Sequence, residues 1–271
     1  MGDSQVEYQI LDRTSFKIFL GLETGDKVPD EKTVWSFRER VTKTGLVEEL
    51  FEQFTSFLEQ QELIFNEGQL IDASFTVAPR QRNTREENKK IKNGKGDNLW
   101  KDKPNKKRHK DIDARWTKKN GETFYGYKNH AKVDTKSKFI KTYKITDASV
   151  HDSQVLDDLL DEKDKDQDLH ADSAYTGKDQ DEIIEKYEMK NKVHEKGYRN
   201  KPLTDKQKAN NTKKSKIRAR VEHVFGFMEQ SMKGLALKSV GIVRASGIIG
   251  LINLTYNLFR YEQIKRLKIT Y

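Results

Sequence analysis

The chain has no cysteine, so disulfides and thiolate metal sites are both excluded. That absence fits a reducing compartment. Hydrophobic residues are also scarce: they make up 34% of the 271 residues, against 35% that are charged. A chain this long can still bury a core, but so lean a composition predicts long solvated or partner-facing segments around it. No stretch approaches the apolar length of a membrane span, and the N-terminus MGDSQVEYQILD lacks a charged-then-apolar signal pattern, so no membrane partner is expected. Six histidines without cysteine form no zinc pattern. GKGDN at 94–98 has neither the spacing nor the following helix of a phosphate-cradling loop. A nucleophile elbow and a fixed-period repeat are absent too.

Charge is abundant, and its placement says more than the formal net of +9. Residues 80–119 hold sixteen Lys/Arg against six Asp/Glu, and residues 190–220 hold twelve against two, each a local +10. Between them, residues 151–188 hold four against fourteen. Basic blocks of this density attract a polyanion, because neutralising phosphates releases counterions. A single block reads as well as a solvated lysine-rich surface, whereas two blocks around an acidic centre point towards nucleic acid.

The first 65 residues read as helical. Asp12 is placed to cap a helix carrying Phe16, Phe19 and Leu20, and Pro29-Asp30-Glu31 opens a second with Val34, Trp35, Phe37 and Val41. A third carries Leu46, Leu50, Phe51, Phe54 and Leu58 at the spacing of a buried stripe. Two short helices joined by a turn admit a DNA-reading helix-turn-helix, but a packing module is the plainer reading. QLIDASFTVAP (69–79) then alternates like a strand. Residues 80–120 lack periodicity and read as a long mobile insertion. FYGYKNHAKVD and KFIKTYKITDA predict a hairpin turning at 134–137, followed by a short acidic helix over 152–162. LHADSAYTG predicts a strand and turn, KDQDEIIEKYEM a helix, NKVHEKG a short strand, and residues 200–213 a second polar loop. A long helix follows, and the apolar tail from Ile242 to Tyr261 predicts one or two more. This order gives a mixed α/β fold, with antiparallel and parallel strand pairs covered by helices.

Three carboxylates have the placement that chemistry would need. Asp72 is the one acidic residue in its strand and faces away from Ile71, Ala73, Phe75 and Val77. Asp172 stands near a strand's carboxyl end, where open α/β sheets place ligands, although an Asp-Ser pair before a turn serves equally as a cap. Glu222 lies just outside the stripe of Ile217, Val221, Val224, Phe225, Met228 and Met232, one turn beyond Arg218. It reads either as a surface ion pair worth ~0.3–0.5 kcal/mol or as a ligand reaching over the sheet. His170 and His223 neighbour these residues, more as hydrogen-bonding partners than as ligands. Converging, the three carboxylates would suit two Mg²⁺ or Mn²⁺ ions, hard cations that prefer oxygen and leave positions open for phosphate.

The ordered motifs IDAS, HADSAYTG and RARVEHVFG resemble those of DDE-type transposases of bacterial insertion sequences, particularly the insertion-sequence-five group. DRTSFKIFLGL and VPDEKTVWSFRERV look like that group's helical leader, DIDARWTKKNGETFYGYKNHAKVD like its second-strand region, and ITDASVHDSQVL like the segment before its second aspartate. Around the final carboxylate, Arg218 and Glu222 fit the group's Tyr-Arg-Glu-Lys signature. Ser215 stands at the Tyr position and Glu229 at the Lys position, with Lys233 a loose substitute. The leader begins abruptly at Met1, which leaves room for a longer DNA-binding region upstream.

The resemblance implies an RNase H-like domain over residues 66–271, with a basic insertion at about 80–120 and a helical region over 1–65 that binds DNA or pairs subunits. It implies Asp72, Asp172 and Glu222 as the catalytic, metal-binding triad, holding two Mg²⁺ or Mn²⁺ ions. The expected activity is strand cleavage and strand transfer on double-stranded DNA, at the element's ends and its target. Arg80, Arg82, Lys106, Lys107, Arg108, Lys213, Lys214, Lys216, Arg218 and Arg220 are the expected phosphate contacts. A homodimer or larger homo-oligomer, working in a bacterial cytoplasm at the nucleoid, is the expected state. The alternatives are a catalytically inactive DNA-binding protein descended from a transposase, which would need no divalent cation, and a general nuclease, which would not join strands.

Overall fold

The computed structural model describes residues 2–119, 121–234 and 236–269. Its leader is helical: α1 (Asp3–Asp12), α2 (Thr14–Phe19), α3 (Glu31–Lys43) and α4 (Leu46–Gln60). α3 starts where Pro29-Asp30-Glu31 predicts, and Asp30 caps it by accepting from the Thr33 amide at 2.8 Å. Asp12 caps nothing of the kind; it ends α1, and α2 starts after Arg13 without a side-chain cap. In α4 the buried stripe is Val47, Phe51, Thr55 and Leu58, rotated by one residue from Leu46 and Leu50, which are exposed. The reason lies in the neighbour that Val47 meets, for it packs beside Gly250, where an added Cβ would strike both Val47 and the Tyr143 hydroxyl.

The strands are β1 (Gly68–Val77), β2 (Arg115–Lys119), β3 (Glu122–Asp134), β4 (Ile140–Asp147), β5 (Asp168–Ala171) and β6 (Lys190–Asn191). They form one sheet in the order β2-β3-β1-β5-β6, with β4 also paired to β3. β1 runs antiparallel to β3 and parallel to β5, the mixture that the element order predicts. The β3–β4 turn falls where expected, with Asp134 accepting from the amides of Lys136 and Ser137.

Two predicted loops are partly folded. Residues 80–120 contain α5 (Arg85–Lys92) and α6 (Pro104–Arg108), and bury Ile91 and Trp100. Thr84 and Glu87 form a capping box there, and Glu87 also accepts from the Trp100 indole. These tertiary bonds replace the missing periodicity. Beyond α7 (Leu156–Leu159) and α8 (Lys178–Lys186), α9 spans Asp205–Gln230, so most of the loop expected over 200–213 is its first two turns. A Thr204–Gln207 capping box sets that start.

The tail is the single helix α10 (Ile242–Leu267). By length and composition it is long and apolar enough to cross a membrane, contrary to the reading that no stretch approaches a span. Here it lies on the sheet: buried Asn253 bonds Asn129 on β3, and buried Asn257 bonds both backbone groups of Ile140 on β4. Helices α4, α9 and α10 cover one face of the sheet, packing Phe51, Val221, Val224 and Tyr256 over Leu70, Ala131 and Val133. The opposite face packs Ile71 and Leu169 against Leu156, Leu159, Tyr175 and Ile184. The result is a mixed sheet flanked by helices.

Candidate active site

Parallel pairing brings the two aspartates together. Ile71 on β1 pairs with Ala171 on β5, and Asp72 and Asp172 are the next residues of each chain. β5 ends there while β1 runs on, so both carboxylates flank the end of the paired segment. Asp72 is only 9% exposed. Burial raises its pKa to about 6; the Ala73 amide and Arg218 oppose the rise, and the neighbouring charge of Asp172 adds to it. Asp172 also caps a 3₁₀ turn over Ser173–Tyr175, accepting from the Ala174 amide at 2.8 Å. The capping role and the strand-end position hold together.

Glu222 approaches from α9, whose Val221, Val224 and Met228 are buried on the sheet. Arg218, one turn earlier, joins it to the strand: its guanidinium lies 3.0 Å from Asp72 Oδ2 and 2.6 Å from Glu222 Oε1. The surface ion pair and the distant partnership are therefore one arrangement. Arg218 Nε is a buried donor without an acceptor among the described residues. The sequence left Arg218 among the phosphate contacts, and nothing in a helical repeat shows that its fork spans two elements.

Beside Asp172, a cavity of about 270 Å³ is lined by Tyr175, Thr176, His194 and Lys214, among others. Burial lowers the His194 pKa, as do the nearby charges of Arg218 and Lys214, while Asp172 raises it. Its Nε2 lies 3.5 Å from the hydroxyl of Ser215, the residue at the Tyr position of the signature. His194 was missed because the short strand expected over NKVHEKG gave no reason to single it out. Of the two histidines that were, His170 is buried 3.9 Å from Asp168, and His223 faces the Lys138 amine at 3.3 Å.

The family described as Transposase DDE domain matches residues 65–258, and Transposase domain (DUF772) matches residues 1–40. The chain belongs to the transposase DDE domain family. No solved structure matches it. The mixed sheet flanked by helices is consistent with the RNase H-like fold of DDE transposases. Enzymes of this family act in DNA transposition and generally use divalent metal ions.

The basic residues of this transposase divide into two groups. In the folded insertion, Lys106 pairs with Glu87 at 2.7 Å and Lys107 donates to the Asp97 carbonyl, so both serve the insertion's own fold. Arg108 and Arg82 are exposed, and Arg80 lies over the exposed Trp116 ring. Along α9, Lys213 and Lys216 are exposed, while Lys214 donates to the Val193 carbonyl and Arg220 to that of Thr135.

Asp72, Asp172 and Glu222 together offer hard oxygen donors of the kind Mg²⁺ and Mn²⁺ take. Two of them already share a cation in the form of the Arg218 guanidinium. Among the described residues, no three acidic or histidine side chains are close enough to hold one ion as they stand. The chemistry of the three carboxylates suits such a metal, and Arg218 lies between two of them.

Proposed function

We propose that the chain is the transposase of a bacterial insertion sequence of the insertion-sequence-five group, cutting and joining DNA with Asp72, Asp172 and Glu222. The observation that carries this reading is the meeting of Asp72 and Asp172 at the end of the β1–β5 pairing, with Glu222 tied to Asp72 through Arg218. In this reading the three carboxylates hold two Mg²⁺ or Mn²⁺ ions. Bound there, the metal pair would activate a water or a 3′-hydroxyl and stabilise the leaving oxygen of an in-line displacement. The chain's own residues do the rest. Asp72 and Asp172 fix one side of the site from the sheet, and Glu222 closes it from α9. Exposed Lys213 and Lys216 on the same helix hold DNA phosphates without reading sequence. Exposed Arg80, Arg82 and Arg108 extend that grip along the insertion.

For the region over 1–65, subunit pairing is the better-supported role. It carries seven Lys/Arg against thirteen Asp/Glu, which disfavours phosphate. It also exposes Ile18, Phe19, Leu20, Trp35 and Phe37, Phe19 at 86%. A homodimer or larger homo-oligomer, working on the nucleoid in the cytoplasm, would hold two DNA ends at once.

Asp172→Asn tests the reading. Mg²⁺-dependent cleavage of a duplex carrying the element's end should fall to background, while binding of the same duplex in a gel-shift assay stays nearly unchanged. Undiminished cleavage by that variant would sink the assignment. Cleavage of any duplex by the unaltered chain, without joining, would make it a nuclease instead.

A further inference from the structure

The Arg218 guanidinium ties together two side chains that the proposed function gives to metal, and it does so from the same helix as one of them. Its Nη1 is 3.0 Å from Asp72 Oδ2 and its Nη2 2.6 Å from Glu222 Oε1. The two partners are unlike in setting: the Asp72 side chain is 12% exposed and the Glu222 side chain 55%. Glu222 is thus free to swing away into solvent, whereas Asp72 is fixed in the sheet. The third nitrogen of the fork, Nε, is buried with no acceptor among the described residues, so the guanidinium is not fully satisfied where it lies. A planar fork with donors to spare is poised to exchange carboxylates for another anion, since it matches carboxylate and phosphate geometry alike.

We propose that Arg218 is an exchangeable counter-ion: a divalent cation displaces it from Asp72 and Glu222, and the freed fork turns to a phosphate oxygen of the DNA. The idea rests on the metal-binding reading above. The cation and the guanidinium compete for the same oxygens, so each weakens the other's hold, and by linkage the coupling is reciprocal. Loading of the site and engagement of DNA then become one event, because the arginine released by metal is the arginine that phosphate needs. Arg218 acts here as a positioning residue for the two carboxylates before that exchange.

Mn²⁺ binding to the full chain, followed through the free-ion electron paramagnetic resonance signal, tests this without any turnover. Arg218→Gln should bind Mn²⁺ about tenfold more tightly than the unaltered protein, the size expected of a moderate coupling. Arg218→Lys separates exchange from simple charge. A lysine keeps the positive charge but cannot span both carboxylates, so exchange predicts a rise between those of the other two proteins, and charge alone predicts none. In parallel, labelling with an arginine-selective dicarbonyl, read at Arg218 by mass spectrometry, should accelerate when Mn²⁺ is added. Unchanged or weaker Mn²⁺ binding by Arg218→Gln, or labelling indifferent to Mn²⁺, overturns the proposal. If Asp172→Asn nonetheless abolishes Mn²⁺ uptake, the metal-binding reading survives that loss. Absence of uptake by the unaltered protein overturns both.

Discussion

Lys132 on β3 is fully buried between Asp161 at 2.8 Å and Asp164 at 2.6 Å, with Lys141 3.4 Å from the same Asp164. Directly behind it across the sheet, one residue along in register, stands Asp72; Ile71 pairs with Lys132, and Asp72 with the next residue, Ala131. Strand alternation sends the two clusters to opposite faces. The Lys132 cluster sets two cations against two anions. The Asp72 cluster sets three carboxylates against Arg218, their one ion-pair partner among the described residues. Balance locks a fold in place; a surplus of one sign, held by a rigid frame, is a place prepared for something else. A buried titratable group out of balance marks a candidate site for this physical reason.

The contrast can be broken most forcefully at Lys132. Lys132→Met leaves the fully buried Asp164 carboxylate with Lys141 as its one cationic partner among the described residues, and should cost about 3–5 kcal/mol in urea unfolding. A cost under about 1 kcal/mol would show that water already reaches this cluster and that its balance locks nothing.

A smaller effect is expected at His130, on the same face as Lys132. Its ring is fully buried, with Nε2 2.9 Å from the Thr146 hydroxyl; Nδ1 has no hydrogen-bond partner among the described residues and lies 4.0 Å from Asp152 Oδ1. Burial lowers its pKa from 6.5 to about 4; the Lys128 charge adds to the fall and Asp152 opposes it. The unfolded chain therefore takes up a proton below 6.5 that the folded chain refuses until about pH 4. Stability from this group is complete above 6.5 and is lost as pH falls through that window, by at most about 3 kcal/mol. His130→Gln should flatten the acid limb of a stability–pH profile, and an unchanged limb would place the acid sensitivity elsewhere.

Much of this was legible in the sequence. Period-two alternation gave β1 and the face of Asp72, and the hydrophobic stripe gave α9 and the marginal position of Glu222. What local pattern could not give was any contact set by distant chain. The capping boxes that fold residues 80–120 and start α9 rest on polar pairs that look like loop composition. The face of α4 is chosen by Gly250, about two hundred residues away on α10. Arg218 was visible as a charge on the helix, but its reach to Asp72 depends on where α9 crosses the sheet. His194 comes into the site because the chain after β6 continues beside β5, with the His194 amide donating to the Ala171 carbonyl.

Asp72 itself gives the smallest and most discriminating change. Its pKa is raised from 3.8 to about 6, chiefly by burial, so the folded chain holds this proton more tightly than the unfolded one. The group favours folding at low pH, and that advantage is lost as pH rises from 3.8 through 6. At pH 7 the ionised carboxylate is a net burden, in spite of Arg218. Asp72→Asn removes the burden and, with it, the ion pair to Arg218, so a net gain of about 1–2 kcal/mol is expected at pH 7. Thermal melts in a chelator from pH 4 to pH 7.5 should show the gain at the upper end and none at the lower. The opposite sign at Lys132 is the point of the comparison, since removing a charge there can only unbalance the cluster. If Asp72→Asn is instead less stable than the unaltered protein at pH 7, Arg218 fully compensates the carboxylate, and the two clusters differ in composition but not in kind.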